Sequence, residues 1–279
     1  MTMERCVPNN PDKLQKVVVT RFSFIGNSGW KIPVEDREKI LFEPARLDLR
    51  LRLFERITLA SLHAQTDQGF HHYVLTSDQL PDWALIRLTA LCQTTYPDGR
   101  FTIDRQPIGN ARKYLRNFML REKIGDKVVQ IVLDDDDGLA SDFMATVAAK
   151  LTAAAADGSF DTDKLPFFLS FSRGYGLIFS QVADQPPQVF LHRYPYINLG
   201  LTMVNHANIT NILAINHLTT PKNAGCEPIN GAPMFVRSVH AFNDSRVAQS
   251  ERWKPVPGGL ADPTLMGRFA YLANLMSDG

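Results

Sequence analysis

The stretch Val128-Val129-Gln130-Ile131-Val132-Leu133-Asp134-Asp135-Asp136-Asp137 decides the reading of this chain. Val128 to Leu133 is apolar apart from Gln130 and reads as a buried strand. Four aspartates follow it without a spacer. Carboxylates so close repel one another, which raises some of their pKa values unless something positive offsets the repulsion. A hard divalent cation does so, because oxygen ligands suit Mg2+ or Mn2+. The plain alternative is an acidic turn ahead of a helix. The helix dipole favours one or two aspartates there, which leaves the others beside a buried strand unexplained.

Working outward, strands and helices alternate. Val17 to Phe24 reads as a strand closed by the loop Gly26-Asn27-Ser28-Gly29. Glu43-Pro44 opens a helix that takes in Leu47 to Leu62. His72 to Thr76 is a strand, Pro81 to Thr94 a helix, and Phe101 to Ile103 a strand. Asn110 caps a helix over Ala111 to Ile124. Beyond the aspartates a helix is expected over Leu139 to Ala156, with Phe143, Val147 and Leu151 on one face. Such alternation predicts an α/β fold, a Rossmann-type and mostly parallel sheet flanked by helices. The aspartates then lie at the carboxyl end of a central strand, where such sheets bind ligands. After Asp157 the pattern turns β-rich and irregular, over Phe167 to Ser180 and Val189 to Leu199, with a helix expected near Ile209 to His217. One domain over 1–279 is expected, with halves 17–156 and 157–279.

Composition narrows the function. Lys plus Arg is 30 and Asp plus Glu is 29, so there is no overall basic field of the kind a nucleic-acid-binding protein carries. Cys6, Cys92 and Cys226 are scattered and form no CxxC pair, which fits a reducing, cytoplasmic setting. Neither a secretory signal nor an apolar run of membrane-spanning length is legible, and peripheral membrane contact stays open. An EF-hand register ending its turn at Gly138 puts Leu133 first and Met144 twelfth, where acids are required. No Walker A sequence is present. A phosphoaspartate phosphatase could start from Asp134-x-Asp136, but Gly138 stands where Thr or Val is usual.

The strand Gln130 to Leu133 with Asp134-Asp135-Asp136 resembles the DxD motif of GT-A glycosyltransferases, and Arg116-Asn117 resembles an element upstream of it. Thr20-Arg21-Phe22, Leu53-Phe54-Glu55, Leu133 to Asp137 and His240-Ala241-Phe242-Asn243-Asp244-Ser245 together resemble the bacterial rhamnosyltransferase family. The resemblance runs from the first strand to Ser245. It implies a GT-A-like domain whose half 17–156 binds a nucleotide sugar and whose half 157–279 faces the acceptor. It also implies a metal-dependent, inverting transfer of a sugar such as L-rhamnose. The donor would be a dTDP- or UDP-sugar, and the acceptor a saccharide, a lipid-linked or another hydroxyl. Phe242 stands where the family often has a second histidine.

Residue roles follow from spacing and from the resemblance. Asp134 and Asp136, two apart at the end of an extended strand, point the same way and are the expected metal contacts. Asp134 is also expected to meet the donor, and Asp137 to cap the next helix. The resemblance makes His240 the third metal ligand and Asp244 the candidate base. Arg112 and Arg116 share a helix face that Lys123 extends, and a guanidinium fork suits a diphosphate. Asn117, Arg21 and Asp78 complete the expected donor contacts. Trp30, Trp253 and Tyr175 could stack on a sugar, although packing explains them as well. Two other classes compete: a metal-dependent phosphatase or nucleotide hydrolase, and a non-catalytic carbohydrate- or nucleotide-binding protein.

Overall fold

Strand β1 (Gln15–Phe22) lies between β2 (Phe70–Ser77) and β4 (Lys127–Val132) and pairs with both in parallel. The structure is a computed structural model describing residues 14–26, 34–180, 185–243 and 253–276. β3 (Phe101–Gln106) continues the parallel set beyond β2. On the far side, β9 (Thr202–His206) and β6 (Phe167–Leu169) add antiparallel to give the order β3-β2-β1-β4-β9-β6. This is the mixed α/β architecture expected, with a mostly parallel central sheet flanked by helices.

Alternation along the strands builds two cores. Val18 and Phe22 of β1, with Val129 and Ile131 of β4, face one core, whereas Val17, Val19, Val128 and Val132 face the other. The first core takes the helices α2 (Pro44–Leu53), α4 (Asp82–Thr95) and α6 (Phe143–Ala156). The second takes α5 (Ala111–Arg121) through Leu115, Phe118 and Met119. α2 starts as the sequence suggests: Pro44 is in the first turn, and the Glu43 carboxylate accepts from the amides of Ala45 at 3.1 Å and Arg46 at 2.6 Å. It runs on through a π-helical stretch, Phe54–Leu59, into α3 (Ala60–His63).

A second sheet, of order β11-β8-β7-β10-β5, is formed by β5 (Gly138–Leu139), β7 (Arg173–Ile178), β8 (Gln188–Arg193), β10 (Phe235–Val239) and β11 (Lys254–Pro255). The aspartates are therefore the crossing from β4 of the first sheet to β5 of the second. A glycine is needed there. A Cβ on Gly138 would stand 2.4 Å from the Tyr271 hydroxyl and 3.0 Å from Val236.

Three local expectations are corrected. Leu139 does not begin a helix; it is a strand residue paired with Phe235, and α6 starts at Phe143. The α6 amide of Met144 is satisfied by the Gln65 side chain at 3.0 Å, a cap from a distant segment. Ile209 to His217 holds only one 3-10 turn, Ile212–Ala214, because the Ile212 amide is taken by Gln130 Oε1 at 2.9 Å. α5 ends at Arg121, and Lys123 lies beyond it at φ 51°, so it does not extend the Arg112–Arg116 face. Among the described residues, no helix is long and apolar enough to cross a membrane.

Candidate active site at the aspartate turn

β4 stops at Val132, and Asp135 and Asp136 occupy a turn rather than extended chain. The alternation expected of Asp134 and Asp136 therefore does not hold. Instead the neighbours Asp135 and Asp136 both reach the guanidinium of Arg50, on α2. Arg50 Nε donates to Asp135 Oδ2 at 3.2 Å, Nη2 donates to Asp135 Oδ1, and Nη1 donates to Asp136 Oδ2 at 2.6 Å. The side chains of Arg50, Asp135 and Asp136 are all buried.

β10 runs antiparallel to the outgoing end of the turn, with Val236 opposite Gly138. Continuing that direction brings Ser238 and His240 back along the aspartates. The Ser238 amide donates to Asp137 Oδ1 at 2.8 Å, and its hydroxyl donates to the Asp136 carbonyl. His240 Nε2 stands 2.8 Å from Asp136 Oδ2, and Asn243 Nδ2 donates to the same oxygen at 3.1 Å. From below, the Thr58 hydroxyl in the π-helical stretch donates to the Asp137 carbonyl at 2.9 Å. π turns widen a helix locally and are frequent at functional sites.

Burial and neighbouring charge divide the aspartates. Burial opposes ionisation of Asp136, but Arg50 and His240 outweigh it and hold its carboxyl below the usual range. Burial pushes Asp135 up to about 7 against the pull of Arg50. Burial, with Asp136 and Asp134 adding repulsion, raises Asp137 well above the usual range. Asp137 is held by the Ser238 amide and is not the expected helix cap. Asp134 is the half-buried member of the four.

The predicted metal trio is not assembled. Among the described residues, no group of three or more His, Cys, Asp or Glu is placed to hold a metal ion. Asp136 and His240 do converge, with a carboxylate oxygen and an imidazole nitrogen at one point. Mg2+ is characteristically held by one or two carboxylates, with phosphate and water completing its shell. In this structure Asp136 Oδ2 is engaged by Arg50, Asn243 and His240 together.

The other predicted residues lie along the same edge. Arg21 is exposed at the carboxyl end of strand β1, and Asp78 is exposed just after β2, where its carbonyl accepts from Arg105 at 2.8 Å. Gly26 bridges to Gly109, which brings the start of α5 to the carboxyl end of the sheet. Arg112, Arg116 and Asn117 are exposed on α5. Among the described residues, no hydrogen bond or ion pair joins them to the aspartate turn, because α5 covers the opposite face of the sheet from Arg50. Trp253 packs over Gly176, its ring 2.6 Å from where a Cβ would stand, and Tyr175 packs edge-on against Phe269. Asp244 and Trp30 lie outside the described residues.

Sequence reading missed Arg50, Thr58 and Ser238. Arg50 carried a signal: it falls on the helical face of Leu47, Leu51 and Phe54, and a cation on a buried face requires an anion.

The α/β fold and the family match together place the chain in the class of glycosyltransferase-like proteins. Within that class, the chain belongs to the family described as "Putative rhamnosyl transferase", which matches residues 15–252. No curated protein matches the chain. Among solved structures, it is similar to S. aureus TarS 1-349 at 12% identity and a TM-score of 0.45, over 81% of this chain and 60% of that one. The same TarS fragment in complex with UDP gives 12% and 0.43, over 81% and 61%. HddC from Yersinia pseudotuberculosis gives 11% and 0.30, over 81% and 90%. The matched region thus spans 60% of the TarS fragment's length.

Proposed function

We propose that the chain transfers a sugar, a rhamnosyl group by the family's description, from a nucleoside-diphosphate donor to an acceptor hydroxyl. The observation that carries this reading is the meeting of Asp136 and His240 at 2.8 Å, beyond the carboxyl ends of the parallel strands. Open α/β sheets bind nucleotides at that edge.

In this reading the donor lies across the ends of β1, β2 and β4. Arg21 and Asp78 are exposed there to meet the nucleoside, and Arg112 in the first turn of α5 faces the diphosphate. Arg116 and Asn117 follow on the same helix. Asp134, at the rim of the turn, takes the donor side, while Asp136 and His240 would hold Mn2+ or Mg2+. When bound, such a cation supplies positive charge for the leaving diphosphate. An inverting transfer also needs a carboxylate to accept the proton of the acceptor hydroxyl. Asp244 is proposed for this, since it follows Asn243, whose side chain is already on Asp136.

The test is calorimetry of the whole chain with a panel of dTDP- and UDP-sugars, with and without Mn2+. Binding that needs Mn2+ and is lost in Asp136→Ala is the expected result. An Asp136→Ala variant with unchanged affinity would overturn the assignment. Sugar recovered on an acceptor hydroxyl supports transfer, whereas release of free sugar alone would favour a hydrolase.

A further inference from the structure

We infer that Arg50 is a positioning residue of this site, which sorts the aspartates by locking Asp135 and turning Asp136 toward His240. The inference rests on the proposed function only for what Asp136 and His240 bind; the geometry stands apart from it.

Three observations carry it. First, Nε, Nη1 and Nη2 of Arg50 all donate to the two carboxylates, and a planar fork is the one side chain that fixes two acceptors at once. Second, the helix bearing Arg50 is pinned at both ends. Glu43 caps its start, and Thr58, on the π-helical continuation, bonds the carbonyl of Asp137. Arg50 is thereby held to the turn's side chains while Thr58 holds its backbone. Third, the two aspartates have different partners. Asp135 is fully buried and is gripped at both oxygens by Arg50. Asp136 gives one oxygen, Oδ2, to Arg50, His240 and Asn243 together.

That division explains why adjacent aspartates are needed. Asp135 anchors the guanidinium, and the anchored guanidinium sets the direction of Asp136. Asp135 is thus a partner of Arg50 rather than a contact of donor or metal. A lysine keeps the charge but presents a single ammonium, which cannot grip both carboxylates in the same geometry.

The experiment uses the whole chain as Arg50→Lys and as the double variant Arg50→Met with Asp135→Leu, which removes both members of a buried pair together. Folding is followed by thermal melting. The imidazole 15N shifts of His240, identified by their loss in His240→Gln, are recorded without metal. Affinity for the UDP- or dTDP-sugar that the parent binds is measured with Mn2+. The double variant is expected to fold but melt below the parent, because Asp136 loses its guanidinium partner, and to show displaced His240 signals and at least tenfold weaker donor binding. Arg50→Lys is expected to fold and show the same displacement. Parent-like His240 signals in a folded double variant would overturn the inference, as would parent-like donor affinity. Failure of both variants to fold would also overturn it, by making Arg50 a structural counter-charge alone. Absence of any nucleotide-sugar binding by the parent would sink the proposed function, while the 15N shifts would still decide the role of Arg50.

Discussion

Two buried histidines in this protein sit in opposite kinds of surroundings. His72, in the middle of β2, is wholly buried and bonded to neutral groups, the Thr20 hydroxyl and the Tyr96 hydroxyl, each at 2.9 Å. Burial depresses its pKa to about 3, so it stays an uncharged strut inside one sheet. His240, at the end of β10, meets a carboxylate already held by a guanidinium. The first network joins strand to strand and helix within one layer. The second joins two sheets and a helix where the chain crosses between them. A charged buried network at such a crossing is the kind that function retains, whereas a neutral one inside a sheet is explained by packing and hydrogen bonding alone.

The contrast can be broken by exchanging the damage. His72→Ala should destabilise the fold by roughly 2–4 kcal/mol, because it leaves a cavity and two hydroxyls without their partner. Donor affinity at the remaining folded protein should be unchanged. Chemical denaturation combined with calorimetry checks both, and a loss of binding that exceeds the loss of folded protein would remove the distinction. His240→Ala should do the reverse. Asp136 keeps Arg50 and Asn243, so stability should change by less than about 1 kcal/mol, while Mn2+-dependent donor affinity falls by about 10- to 100-fold. A metal affinity that does not move would return His240 to a packing role.

A further effect is on pH dependence. A histidine whose folded pKa lies far below its unfolded value of about 6.5 contributes stability that is fully present above that value. The contribution is lost as pH falls toward about 3. The slope is at most about 1.4 kcal/mol per pH unit for one group. Between pH 6 and 4, as the measuring range, the parent should therefore lose stability more steeply than His72→Phe. Parallel curves from urea titrations would show that His72 titrates normally in the folded state.

Much of the first sheet was legible because its information is local. The strand from Val17, the Glu43-Pro44 start and the Asn110 cap each act within a few residues and appear as read, although the strand expected to reach Phe24 ends at Phe22. Leu139 was misread because its partner Phe235 belongs to a distant strand, and a short strand has no pattern of its own. The same limit applies at the site. The aspartates and His240 were visible by residue type, but the side-chain directions assigned to Asp134 and Asp136 assumed a strand that ends at Val132. Arg50 was hidden in a run of leucines and charges. Its meaning depends on a contact 86 positions along the chain with Asp136, which no local pattern encodes.

The crossing of the chain from one sheet to the other has a consequence for how the protein comes to be competent. Asp136 and His240 are 104 positions apart, and the loop between them closes only when β10 has docked beside β5 and β7. Long-range closure is entropically costly and slow compared with local helix formation. Arg50 and the aspartates can therefore meet while the second sheet is still unassembled, but the imidazole cannot arrive until it is finished. The turn is thus complete only where both sheets are in place, so it reports on the assembly of the whole fold rather than of either half.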